Sequence, residues 1–311
     1  MSDNRNNWID DHFIPRLVDV NHIQCAIASK AIPELARMRQ ATDPFSLKDK
    51  SKEEQATALF YLVGICNRLN WDFVLGQFAK EMWELTEGFS PDALESIEGS
   101  VFRKAFGTYR RGDGSLNYKA RLENLRAIAH YVRGHNSIQN VLSSHTVSGE
   151  EGAAALIRQT PVYRDDPLLK KCNALLHELV RRNLINVNDA DEVSPAIDYH
   201  IMRLYLRTGR VVVADDDLVS RLVRRKSIRI EVITEIRKAV ADALKYTAWL
   251  ARVSVSTLND IEWAFARRAC RRDKVWCSEQ GEKCPLDHFC SSAFLEPRSM
   301  ITEPESRHGH Y

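Results

Sequence analysis

Four cysteines, Cys270, Cys277, Cys284 and Cys290, fall within 21 residues of a chain that has seven in all. Their intervals are six, six and five residues. Four thiolates so placed can close a tetrahedral zinc site or hold an iron–sulfur cluster. Structural zinc sites use short C-x2–4-C knuckles, and none is present. The wider intervals favour a [4Fe-4S] cluster, whose iron corners lie farther apart than the ligands of one ion; zinc stays the alternative. In a reducing compartment such a group reads as a metal site rather than a disulfide framework. His288 lies between the last two cysteines and either substitutes as a ligand or faces solvent. Arg267, Arg268, Arg271, Arg272 and Lys274 put five cations into eight residues around Cys270. A helix end attracts cations through its dipole, but five exceed that need and suit contact with phosphates. Cys25, Cys66 and Cys172 lie in apolar helical contexts and read as small core residues.

The elements that carry this loop read as helices. The chain has 311 residues, 44% apolar and 28% charged, a composition that excludes bulk disorder and fibrous folds. Thirteen glycines and ten prolines are too few for a turn-rich β protein. No run of 18 apolar residues exists, so no membrane helix is expected. The start, MSDNRNNWIDDHF, lacks the basic and apolar segments of a secretory signal, and the expected location is cytoplasmic, associated with the nucleoid. A net charge of +2 requires any basic surface to come from uneven distribution. Apolar residues at 3–4-residue spacing predict helices around 20–39, over 52–86, 91–106 and 118–132, from Pro167 to Val180, from Ala196, over 217–226, 229–252 and 258–268. Asp165 and Asp166 are candidate caps for the Pro167 helix. Residues 134–152 read as a loop, Val211–Val213 as a short extended piece, and 296–311 as a disordered tail. The expected fold is all-α and two-lobed. Residues 1–150 would form one helical lobe, 151–262 a second, and 263–295 the cysteine loop.

A helix ending Ala266-Arg267-Arg268-Ala269-Cys270 and running into four cysteines resembles the iron–sulfur loop of endonuclease III-type DNA glycosylases, of the helix–hairpin–helix superfamily. The family's pattern is C-x6-C-x2-C-x5-C; the outer intervals match and the middle one is four residues longer here. Pro195-Ala196-Ile197-Asp198-Tyr199-His200-Ile201-Met202-Arg203-Leu204 looks like that superfamily's V-D-T-H-I-x-R-V motif. Tyr in place of Thr is similar to archaeal 8-oxoguanine glycosylases and to queuosine-salvage glycosidases. Lys170-Lys171-Cys172-Asn173-Ala174-Leu175-Leu176 is similar to the K-T-A-N-V-V-L stretch of endonuclease III. The three matches occur in the family's order and cover about residues 160–290. Two departures stand out. The L-P-G-V-G hairpin that binds DNA phosphate is absent before Lys170. The 28-residue interval from Lys170 to Asp198 is also about ten longer than in endonuclease III.

The resemblance implies Lys170 as nucleophile, with Lys171 as its rival, and Asp198 as the catalytic carboxylate. Breaking an N-glycosidic bond builds positive charge on the sugar, and a carboxylate near C1′ stabilises it. A lysine amine that attacks C1′ displaces the base and leaves a Schiff base that permits strand cleavage. It must be partly neutral, which burial and nearby cations such as Lys171 and Arg164 would promote. An extruded base needs an aromatic or apolar pocket. Tyr199, Trp249, Trp263 and Phe265 are the candidates for its walls, against the commoner role of such residues as core. Asp198 also suits a helix N-cap. Asn173 would orient locally, His200 would pack, and Arg203 and Arg207 would contact phosphate or cover the surface. The implied function is a monomeric DNA N-glycosylase acting on duplex DNA with a modified base, with or without lyase activity and with a structural cluster. Two rivals are a glycosidase of free modified nucleotides and a non-catalytic iron–sulfur protein that binds nucleic acid.

Overall fold

The apolar spacing resolves into helices nearly throughout. The computed structural model describes residues 17–38, 43–67, 69–110, 116–165, 168–279, 283–293 and 295–304. Strand β1 (Val18–Val20) leads into α1 (His22–Ser29) and α2 (Ile32–Met38). Next come α3 (Lys52–Ile65), α4 (Trp71–Phe73), a π-turn at Val74–Phe78 and α5 (Ala79–Leu85). They are followed by α6 (Pro91–Ser96), α7 (Gly99–Lys104), α8 (Tyr118–His135), α9 (Ser137–Leu142), α10 (Ala153–Arg158) and α11 (Pro161–Arg164). The order ends with α12 (Lys170–Arg181), α13 (Tyr199–Arg207), β2 (Val211–Val213), α14 (Asp216–Val223), α15 (Ile230–Ala251) and α16 (Val255–Arg268). Local chemistry sets several starts. Ser51 and Glu54 form a reciprocal capping box on α3. The side chains of Asp198, Asp215 and Ser254 cap α13, α14 and α16.

Buried apolar side chains gather into two clusters. The first runs from Phe45 to Val193 and includes Leu59, Leu75, Phe78, Phe102, Leu125 and Leu175. Its aromatic rings interlock: Phe78 lies 4.8 Å from Phe106, and Phe73 stacks on Tyr109 at 4.0 Å. The second joins Val18–Leu35 to Ile197–Leu286, with α15 at its centre. The strand pair explains how the early segment reaches it. Val18, Asp19 and Val20 pair antiparallel with Val213, Val212 and Val211. Thus the division between cores falls between Val193 and Ile197, and residue 150 lies inside the first.

Three local expectations differ from what is found. Residues 134–152 contain α9, because Ile138 and Val141 are buried against α3 despite their polar neighbours. The helix expected from Pro167 begins at Lys170, after Leu169 in a left-handed conformation. Asp166 and Pro167 lie outside the described residues, and Asp165 closes α11 at its C-terminal end and does not open α12. Within the tail expected to be disordered from 296, residues 300–304 are instead packed. Met300, Thr302 and Glu303 are buried because the Glu303 carboxylate answers two arginines. Residues 305–311 lie outside the described set. No helix among the described residues is long and apolar enough to cross a membrane.

Candidate active site

A cavity of about 450 Å³ opens between the two cores. Lys170, Lys171, Ala174, His177 and Glu178 reach it from α12. Asp198, Tyr199 and His200 reach it from the start of α13, and Asn259, Asp260, Trp263 and Arg267 from α16. Trp71 and Tyr109 add aromatic surface from the first core. So the lysine pair and the aspartate, 28 residues apart in sequence, share one cavity.

Three side chains pin the connection that aims Asp198. Asn173 Nδ2 donates to the Pro195 carbonyl at 3.2 Å, and His177 Nε2 donates to that of Ser194 at 3.0 Å. The Ala196 N–H donates to Asn259 Oδ1 at 3.1 Å. Because Nε2 of His177 faces a carbonyl, its Nδ1 accepts, and Ser256 Oγ–H fills it at 2.8 Å. Asp198 is then fixed by both oxygens. Oδ1 accepts from the backbone N–H groups of His200 and Ile201 at 2.8 and 3.0 Å, and Oδ2 from the Trp263 indole at 2.9 Å. Capping and site roles coincide in one carboxylate.

His200 stands beside it. Burial holds its pKa down at about 4, with Arg203 and Arg267 adding to the effect and Asp198 opposing it. Arg203 donates to Nδ1 at 2.9 Å, so the neutral ring carries its proton on Nε2. Burial also pushes the Tyr199 hydroxyl up to about 12, so it stays protonated. Lys171 Nζ donates to the Gly64 carbonyl at 2.6 Å. Lys170 and Lys171 also line a second cavity of about 260 Å³ behind the first.

The expected base-pocket residues divide. Tyr199 and Trp263 line the cavity. Trp249 does not: it is 70% exposed on α15 and stacks on Tyr246. Phe265 is buried and packs edge-on against Trp276. The expected phosphate contacts divide as well. Arg203 is buried, ion-paired with Glu303 at 2.9 Å, and donates to the Cys270 carbonyl at 2.7 Å. It therefore has no surface to offer phosphate. Arg207 is buried too, donating to the carbonyls of Ile301, Arg271 and Arg272. Arg272 is half-buried on Glu303 at 2.6 Å. Arg267 sits at the cavity over the Trp263 ring and forms a bidentate pair with Asp72. Arg268 covers Trp276, Arg271 is exposed, and exposed Lys274 pairs with Glu279 at 3.3 Å.

The four clustered cysteines line one small cavity of about 20 Å³, with Arg207, Phe265 and Leu286 among its walls. Burial pushes the thiols of Cys284 and Cys290 up to about 12, and Cys270 and Cys277 are close enough to add to both shifts. Arg207 Nη1 lies 3.5 Å from Cys270 Sγ. Among the described residues, no three His, Cys, Asp or Glu side chains converge on a single ion position. His288 is exposed and lies 3.7 Å from Asp287, away from the sulfurs' cavity.

Sequence reasoning did not single out Trp71, Tyr109, Asn259, Asp260, Glu178 or His177. For Asn259, Asp260 and Trp263 a signal existed. Their i, i+1, i+4 spacing, extended to Arg267, is a polar–aromatic stripe on one helix. Among known proteins, no family matches this chain, and no curated sequence matches it.

Proposed function

We propose that this chain is an N-glycosylase that removes a modified base from duplex DNA. The observation that carries the reading is the shared cavity: a lysine pair and a rigidly held carboxylate face one space walled by Trp71, Tyr109, Tyr199 and Trp263. That volume falls within the range of small-molecule sites, and aromatic walls suit a base taken out of the stack. Asp198, fixed by three donors, needs no rearrangement to face a developing sugar cation. Lys170 is the preferred nucleophile because its flanking residues match the family's stretch better, and Lys171, whose amine donates to the Gly64 carbonyl, is its rival. Its attack forms the N–C1′ bond as the base leaves with the glycosidic electron pair. The proton that the attacking amine loses goes to the departing base, and water then hydrolyses the resulting imine to free the lysine. His200, neutral with its N–H at Nε2, is placed at the same cavity to orient base or water.

The cysteine loop fits an iron–sulfur cluster better than one zinc ion. Four sulfurs surround a common cavity without meeting at a point. Among the described residues, the buried Arg207 reaches a sulfur and three carbonyls and no carboxylate. A buried cation needs an anionic partner, and a thiolate-bound cluster provides one. Cys270, Cys277, Cys284 and Cys290 would hold it, and its contribution would be to stiffen the loop.

A second reading, a glycosidase of free modified nucleotides, draws on the three carboxylates of the cavity. Glu178, paired with Arg181 and Arg182, and Asp260, 3.9 Å from Arg181, join Asp198 there, and a cavity lined by polar side chains on every wall suits a small free ligand as well as a strand. Borohydride trapping on duplexes with different modified bases tests the first reading. A covalent adduct is expected with the wild type and not with Lys170→Gln, and Asp198→Asn should slow base release by a factor of about a hundred or more. An adduct that survives Lys170→Gln and disappears in Lys171→Gln would transfer the role to Lys171. Base release from free nucleotides, with none from duplex DNA, would establish the second reading.

A further inference from the structure

The turn between α14 and α15 reads Arg221-Leu222-Val223-Arg224-Arg225-Lys226-Ser227-Ile228-Arg229, four arginines and one lysine in nine residues. It is not a loose charged loop. Leu222 and Ile228 are buried in the second core on either side of it. The Lys226 N–H closes on the Arg221 carbonyl at 2.8 Å, and the Arg221 guanidinium donates to the Ser227 carbonyl at 2.7 Å. Arg225 adopts a left-handed backbone conformation, with φ of 57°, to complete the turn. Such a conformation costs a non-glycine residue free energy, so the shape is held by its surroundings.

This turn meets the cysteine loop. Arg225 pairs with Asp273 at 2.5 Å, which places the turn against Arg271 and Lys274. Arg221, Arg224, Lys226, Arg229 and Arg271 are exposed. Among the described residues, none forms an ion pair or hydrogen bond with the side chains of Arg224, Lys226, Arg229 or Arg271. Asp273 is committed to Arg225, Lys274 is paired with Glu279, and the nearest other acid in sequence is the exposed Glu231. Two stretches nearly fifty residues apart in sequence thus bring like charges together without internal compensation. Self-repulsion of this kind opposes the compact state, and an external polyanion relieves it.

We propose that this turn, joined to the cysteine loop through Arg225 and Asp273, is a docking surface for the phosphodiester backbone of duplex DNA. It rests on the DNA reading above and deepens it. Arg267 lines the cavity, Arg271 and Lys274 follow it in sequence on the loop, and the Arg225–Asp273 pair joins the turn that carries Arg224, Lys226 and Arg229 to that loop. The surface supplies phosphate contacts that the absent hairpin would otherwise make. Contacts of this kind add affinity without reading sequence, and each neutralised phosphate adds to the salt dependence.

The test is a salt titration of duplex DNA binding by fluorescence anisotropy. It compares the full chain, a triple variant R224Q/K226Q/R229Q, and a charge-matched control, K52Q/K80Q/K104Q, on exposed lysines of the first core. All six positions are exposed, and thermal unfolding verifies that both variants fold. The turn variant is expected to bind about tenfold or more weakly at low salt, with the slope of log affinity against log salt reduced by roughly 2 to 3. The control should lose far less. Equal losses in the two variants, or none in the turn variant, overturn the docking surface and leave the glycosylase reading intact. A wild-type chain that binds no duplex DNA overturns the surface, while trapping and base release decide the glycosylase reading separately.

Discussion

The two cores solve the same packing problem with different materials. The first is filled by apolar and aromatic side chains, with phenylalanines meeting at 5–6 Å. The second places Arg203, Arg207, Arg210 and Arg237 among its largest fully buried side chains. Arg210 pairs with Glu262, which also accepts from the Tyr205 hydroxyl at 2.7 Å. Arg203 and Arg207 hold the cysteine loop by its carbonyls. The difference follows from what each must hold. Helices can bury stripes of leucine, but a loop without regular structure exposes backbone carbonyls that need donors. Guanidinium groups carry five donors in a fixed fork and suit that task. The cost is that each buried charge must be answered, so the second core is held largely by specific partners where the first is held mainly by area. The buried Arg121 of the first core, which donates to the carbonyls of Leu116, Ile65 and Asn67, is the counterpart there.

That contrast predicts where a single isosteric change does most harm. Glu303→Gln removes the carboxylate shared by Arg203 and Arg272 while keeping its size. Arg203 is then left buried without its anion. The expected loss is about 3–5 kcal/mol of stability, read from urea unfolding. Hydrogen exchange should show the loosening in α13 and the 270–274 segment and leave α3 and α8 protected. A loss below about 1 kcal/mol would mean that the carbonyl contacts alone hold the loop.

The next effect is a pH dependence. His200 in the second core titrates at about 4 when folded against 6.5 unexposed to the fold, and His177 in α12 is also lowered, mainly by burial. Between those values the unfolded chain binds the proton and the folded chain does not. Stability is therefore full above pH 6.5 and falls as the pH drops toward 4. His200 should account for on the order of 3 kcal/mol of this fall. Urea midpoints measured against pH for His200→Asn and His177→Asn separate the two. Each variant should flatten part of the slope, and a slope unchanged in both would show that carboxylates control acid sensitivity.

These outcomes depend on features that differ in how far the sequence displayed them. Helical periodicity was visible because apolar spacing is a local property, and α15 shows it from Val232 to Ala248. The cap role of Asp198 was visible for the same reason. The fate of Arg203 and Arg207 was not: exposed and buried arginines look alike in sequence, and only the return of Glu303 past the cysteine loop decides between them. Trp249 misleads in the same way. It continues the register of α15 but sits on the face the second core leaves uncovered. The pinning of residues 194–196 by Asn173, His177 and Asn259 depends on three contacts between distant helices. The pairing of β1 with β2 joins residues almost two hundred apart. No local pattern announces such contacts.

The smallest effect on stability concerns a partly exposed pair that clasps the cores across the cavity. Arg267 reaches from α16 to Asp72 at 3.0 and 3.2 Å and to Asn70 at 3.4 Å. Asp72 is largely exposed, so this pair should contribute under about 1 kcal/mol to stability. Its value lies in what Arg267 does when Asp72 is gone. Asp72→Asn and Arg267→Gln break the same ion pair and should shift the unfolding midpoint about equally. Their effects on duplex binding should be opposite. Asp72→Asn removes a negative charge at the mouth and releases the guanidinium toward phosphate, so binding should tighten. Arg267→Gln removes the cation itself, so binding should weaken. If both variants weaken binding alike, the clasp acts as structure that shapes the cavity. Opposite signs would show that Asp72 occupies Arg267 in the place a phosphate takes.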